Sequence, residues 1–255
     1  MQGTMTRRAV AGGAALALLA GGGVLAGCGS GYDAASGGGA TAEPNGIEKL
    51  PAKEIVTTSA AAMATASSVT VSGVFKGDDG PDMSLDLVLG TGVGEGTTSL
   101  NGTPIMEFRE VDGKIYWKIT KEGVEAILGP GDASTVIGGR WVVAPAGADE
   151  SMFAGPGELG DKDALLASLV QEGGKATVAG TGEVKGTPVV FVKMSGSDGT
   201  ATLAVQTVGE PYVVQVKGDQ AGNIAFSDWN GPVSVTAPAG AVSPEELMKQ
   251  DGASG

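Results

Sequence analysis

The chain has 255 residues and a formal charge of −13, from 29 acidic against 16 basic side chains, with no histidine and a single cysteine. Such a charge repels nucleic acid and anionic lipid headgroups, and the missing histidine removes the commonest general base, the commonest zinc ligand and every Ser-His or Cys-His nucleophile pair. One cysteine allows no internal disulfide, so the folded part must be held by its core.

Arg7 and Arg8 precede an uncharged run of Ala, Gly, Leu and Val that ends at Cys28, the order of an export signal's n-region and h-region. Five glycines, at 12, 13, 21, 22 and 23, dilute that run; a spanning helix needs roughly 20 strongly apolar residues, so it is a poor permanent anchor. Leu25-Ala26-Gly27-Cys28 resembles a bacterial lipobox: a leucine, two small residues and a cysteine whose thiol takes a diacylglycerol. Residues 1–27 are therefore expected to be removed as a lipoprotein signal peptide, taking two positive charges with them. The mature chain is expected to be anchored through acyl chains on Cys28, palmitate among them, at the extracytoplasmic face of the cell membrane. Arg7-Arg8 leaves both Sec and Tat export open.

Residues 28–46 hold almost nothing to bury and read as a flexible tether. From Pro51 to Ala66 the chain reads as a helix with Ile55, Ala62, Met63 and Ala66 on one face. Alternation then predicts strands: Val69–Phe75, a strand with Met83, Leu85, Leu87 and Leu89 on one face, and Gly96–Leu100. Asp112-Gly113 between two apolar runs predicts a tight hairpin of Ile105–Val111 and Lys114–Ile119. Helices are expected over Lys121–Leu128, stopped by Gly129-Pro130, and from Asp161 through Val170. Between and after them come strands Arg140–Val143, Thr187–Met194, Thr200–Gln206, Tyr212–Lys217, Asn223–Trp229 and Val233–Thr236. Residues 239–255 form a tail that either frays or makes a short helix after Ser243-Pro244. Strands with a few segregated helices make an α+β antiparallel fold.

This order is similar to that of the actinobacterial LppX/LprG lipoprotein family. The strings that carry the resemblance are Ala66-Ser67-Ser68-Val69 at the opening, then Gly209-Glu210-Pro211-Tyr212, Phe226-Ser227-Asp228-Trp229 and Pro232-Val233-Ser234-Val235 at a final hairpin. The resemblance spans roughly 47–238, taken as the lipoprotein domain. It implies a strongly curved antiparallel sheet, a half-open barrel like that of LolA-type carriers, with helices packed on the concave face. It also implies a lipid or other hydrophobic ligand held between sheet and helices.

The residues themselves offer successive apolar faces for such a site: Met83, Leu85, Leu87 and Leu89; Met106 and Phe108; Ile115, Trp117 and Ile119; Val190, Val192 and Met194. A period-two face is first of all a core, so a closed core and a ligand-lined cavity both remain open from sequence. Trp117 and Trp141 join a large apolar area to one donor and suit a pocket mouth. Catalytic chemistry finds little support: no lysine lies in a Ser-x-x-Lys string. Asp78-Asp79-Gly80-Pro81-Asp82 lacks an EF-hand's alternation and reads as a solvated hairpin tip; Asp149-Glu150 and Glu245-Glu246 read as solvated charge. Gly90-Thr91-Gly92-Val93-Gly94 lies between strands without a helix N-terminus and reads as a loose connection. The expectation is a carrier that is no enzyme and holds no cofactor or metal, with an envelope protein-interaction or sensor module, lacking a cavity, as the alternative.

Overall fold

The computed structural model of the chain describes residues 43–75, 82–128, 138–144, 162–169, 174–196, 199–218 and 222–246. All belong to the compact unit Thr41–Gly255. Helix α1 (Ala52–Thr65) begins behind Pro51, whose carbonyl accepts from the N–H groups of Glu54 and Ile55. It buries Ile55, Val56, Ser59, Ala62 and Met63 along one stripe, the i, i+4, i+7 spacing of an amphipathic helix. At Ala66 the backbone turns extended and the chain enters β1.

Strands β1 (Ser68–Phe75), β2 (Met83–Gly90), β3 (Val93–Leu100), β4 (Thr103–Val111) and β5 (Lys114–Ile119) run as an antiparallel meander. Helix α2 (Lys121–Leu128), strand β6 (Val142–Ala144) and helix α3 (Lys162–Leu169) follow. A second meander comprises β7 (Lys175–Val184), β8 (Thr187–Gly196), β9 (Gly199–Gln206), β10 (Val213–Gly218) and β11 (Gly222–Ser227). The halves join where β1 pairs with β11, with Val71 opposite Phe226. The result is one open sheet of eleven strands in the order β6-β5-β4-β3-β2-β1-β11-β10-β9-β8-β7.

The core shows that this sheet is curved. One contiguous cluster joins Ile55, Val56 and Met63 of α1 and Leu166 of α3 to inward side chains of β4, β2, β1, β11, β10, β9 and β8. Laid flat at roughly 4.8 Å per strand, β4 to β8 would span about 34 Å, against a helix diameter of roughly 10–12 Å. The sheet has to wrap around the helices for these residues to share one core.

Glycine makes part of that packing possible. Gly96 lies in β3 between Leu87 and Phe108, and a Cβ there would stand 2.5 Å from a side-chain carbon of each. The expected loose connection at 90–94 is therefore corrected: only Thr91 and Gly92 leave the ladder, and Gly94 and Gly96 are strand residues. Asp112-Gly113 forms the expected two-residue turn with both φ positive, and Asn101-Gly102 and Lys185-Gly186 do the same.

Other expectations shift. Strand β7 went unread because Gly180, Gly182 and a bulge between Val178 and Gly180 break its alternation. Val233–Thr236 is no strand. It is bracketed by Pro232 and Pro238, which lack the ladder N–H. It belongs to a strap that runs from the end of β11 across the sheet. Ser68 Oγ donates to the Gly231 carbonyl, Arg109 donates to the Thr236 carbonyl, and Val242 pairs in parallel with Val142 of β6. The strap covers one edge of the sheet; at the other, β7 leaves Val178 45% exposed. Beyond the strap, Ser243 and Glu246 cap each other's N–H groups around a short helical turn at 244–246.

Candidate functional site

All twelve residues of the sequence-derived apolar set stand on the face that carries α1. Register aligns them in rows across the sheet: Leu87, Gly96, Phe108, Trp117 and Val142 form one, and Leu85, Thr98, Met106 and Ile119 another. The set nevertheless divides. Leu85, Leu87, Leu89, Phe108, Val190, Val192 and Met194 are buried in the cluster closed by α1. Met106 on β4, and Ile115, Trp117 and Ile119 on β5 next to β6, are only half-buried. Met83 is 40% exposed at the end of its strand. The structure thus separates a filled core from an adjoining apolar patch on β4 and β5.

Helix α2 borders that patch because of two residues. Thr120 caps it: the Thr120 hydroxyl donates to the Pro104 carbonyl at 2.7 Å and accepts from the Gly123 N–H at 2.9 Å. Gly123 then lets the helix touch β4, since a Cβ there would sit 2.1 Å from the Ile105 carbonyl oxygen. Val124, one residue on, is 1% exposed, as is Val142 on β6, and neither belongs to the main cluster.

The opposite face carries Asp86, Glu95, Glu107 and Arg109, and described residues line two depressions. One, of about 350 Å³, lies over β1–β4 and is bounded by Trp141. Arg109 and Lys118 stand over the indole at 5.2 and 5.0 Å, and they pair with Glu95 at 3.4 Å and Glu107 at 2.6 Å. The other, of about 430 Å³, lies where β7 to β11 end near the strap's origin. There Trp229 stacks on Tyr212 with ring centroids 4.6 Å apart, and the Trp229 Nε1 is buried without a hydrogen-bond partner among the described residues. Asn230 braces this corner, donating to the Tyr212 hydroxyl at 2.8 Å and accepting from the Ser67 N–H at 2.8 Å. The sequence marks Trp141 as a candidate pocket residue, whereas Tyr212 and Trp229 enter it as members of the strings Gly209–Tyr212 and Phe226–Trp229 that carry the family resemblance, without a sign that the two rings stack.

Among the described residues no group of three His, Cys, Asp or Glu side chains could hold a metal. No described helix is long and apolar enough to cross a membrane. Cys28 and the tether up to residue 42, Asp78 to Pro81, Gly129-Pro130, Asp149-Glu150, and both Asp161 and Val170 at the expected ends of α3 lie outside the described residues.

No protein-family model matches the chain, and no curated protein matches it by sequence. Solved structures do match. LprF from Mycobacterium bovis aligns at 21% identity over 74% of this chain and 97% of its own, with a TM-score of 0.50. The lipoprotein LppX of Mycobacterium tuberculosis aligns at 17% identity over 72% and 97%, with a TM-score of 0.46. At such identity the likeness is one of fold: this chain is built on the open antiparallel sheet of LprF, the architecture that its resemblance to the LppX/LprG lipoproteins implied.

Proposed function

We propose that the protein is a lipoprotein anchored by acyl chains on Cys28 at the outer face of the cell membrane, where it holds a lipid or similarly apolar ligand. The ligand would lie against Met106, Ile115, Trp117 and Ile119, on the helix-bearing side of β4 and β5. The observation that supports this is the division of the apolar face: seven members are sealed in the core, while these four form a half-buried patch on the adjoining strands β4 and β5. An apolar patch left in that condition gains free energy by covering itself with an apolar ligand, at about 25 cal/mol per Å² removed from water. The ligand's polar end would remain in water, and the reading includes no covalent step.

Native mass spectrometry of the chain carrying Cys28→Ser, purified without detergent, tests the ligand. A heterogeneous mass excess that resolves into lipids on extraction, and that falls in a Trp117→Ala variant, is the expected result. A clean apo mass, with no shift on adding acyl ligands, overturns the carrier reading and favours an envelope protein-interaction module. The feature supporting that alternative is the edge at β7, which pairs with no further strand among the described residues and leaves Val178 exposed, an arrangement that suits addition of a partner strand. Anchoring is tested separately: the wild-type chain should fractionate with membranes and a Cys28→Ala variant should not become acylated.

A further inference from the structure

Among the described residues Lys162 is the one charged side chain that is buried, with 4% of it exposed. It opens helix α3, at the end where the helix dipole disfavours a cation and favours an anion. Leu166, one turn on and on the same side of the helix, belongs to the main core, so the lysine stem runs along the inner side of α3. The strands add no positive charge on that side. Arg109, Lys114, Lys118, Lys175, Lys193 and Lys217 each flank an inward residue and face the other way.

The Lys162 ammonium has three N–H donors, and its partner among the described residues is the carboxylate of Asp163. That carboxylate is adjacent in sequence, so it leaves the helix in another direction, and 72% of the side chain is exposed. A buried ammonium is costly unless its hydrogen bonds are satisfied, and one bond to a largely exposed neighbour leaves two donors over. Helix α1, which packs against α3, carries a second incomplete group: Ser59 is 1% exposed, and its hydroxyl has no partner among the described residues.

We propose that Lys162 binds a carboxylate anion, for which the side chain of Asp163 is the built-in competitor. The exchange conserves charge: the Asp163 carboxylate turns to water and an incoming carboxylate of the same geometry takes the ammonium, with no covalent step. One ammonium matches one negative charge, so a carboxylate suits it better than a phosphate dianion. The closed core beside Lys162 admits a small acid or the carboxyl end of a slender chain. The site is separate from the patch on β4 and β5 and does not rest on the carrier reading.

Calorimetry on the chain carrying Cys28→Ser, with acetate and octanoate as probes and octanol as the uncharged control, tests the site. Saturable binding of an acid should weaken at least about tenfold in Lys162→Met, the worth of one charge-assisted hydrogen bond, and should tighten in Asp163→Asn, which removes the competitor. Equal affinity for the two acids assigns a small carboxylate; tighter binding of octanoate assigns the carboxyl end of an acyl chain. Methionine keeps the packed stem and leaves Asp163 in water, so Lys162→Met should melt at or above the wild-type temperature. Should it fail to fold, the opposite sign expected of Asp163→Asn still decides, because a merely structural ion pair gives no gain in affinity. Absence of saturable binding of either acid, or weaker binding in Asp163→Asn, overturns the proposal. Octanoate binding that falls in Trp117→Ala but not in Lys162→Met also overturns it, and leaves the apolar patch standing.

Discussion

Gly123→Ala sets two physical effects against each other with opposite signs. Alanine is the better helix former by about 0.8–1.0 kcal/mol, so propensity alone predicts a more stable protein. The structure predicts the reverse. The new methyl would stand 2.1 Å from the Ile105 carbonyl oxygen, and neither that backbone nor the capped first turn of α2 can yield without loss. Overpacking of this kind costs about 1–3 kcal/mol, and lifting the turn away from Thr120 endangers a cap worth about 1 kcal/mol. The net expectation is a destabilisation of about 1–3 kcal/mol. Urea unfolding followed by tryptophan fluorescence measures it, and in a domain of this size each kcal/mol also lowers the melting temperature by roughly 2–4 °C. A Glu125→Ala variant, altered at an exposed position on the same helix, should stay within about 0.5 kcal/mol of wild type. An unfolding midpoint for Gly123→Ala equal to or above wild type would refute the close seating of α2 on β4.

Ser59 is 1% exposed on the buried stripe of α1 and among the described residues its hydroxyl has no partner; Ser59→Ala should leave stability unchanged or raise it by about 1 kcal/mol, and a clear loss in thermal melting would contradict this. Asn230→Ala removes its side-chain bonds to Ser67 and Tyr212 and forces a left-handed φ of 60° on alanine, for an expected loss of about 2–4 kcal/mol; Asn230→Gly should recover the backbone share of it. Leu87→Ala in the closed core should cost about 2–5 kcal/mol, whereas Trp117→Ala should cost less stability and instead lower retention of co-purified lipid. Similar losses of lipid in both variants would argue against separate core and patch.

The helix-and-strand alternation was legible wherever one face of an element is sealed. Ile55, Ala62 and Met63 marked α1, and Leu85, Leu87 and Leu89 marked β2, because their partners bury one side only. The Asp112-Gly113 turn was legible for a local reason, the positive φ at both residues. Strand β7 escaped because an edge strand buries little: most of it is exposed, and its bulge resets the period. The strap escaped in the other direction. Its Val233 and Val235 alternate like strand residues, but whether such a segment pairs or crosses depends on distant partners such as Arg109 and Val142. The same limit applied to the apolar set. Period two placed all twelve on one face, but only the position of the helices decides which of them are sealed.

The pairing of β1 with β11 has a consequence for the order of assembly. The first and last strands of the sheet are neighbours at its middle, so the two meanders can each zip up locally, but their seam closes only after Ser227 has been made. Local hairpins form early and contacts distant in sequence form late. Until that final pairing, the inward sides of β1 and β2 lack the half of the core that β8 to β11 supply. A sheet that joins its first strand to its last at the centre completes its core only when nearly all of its strands exist.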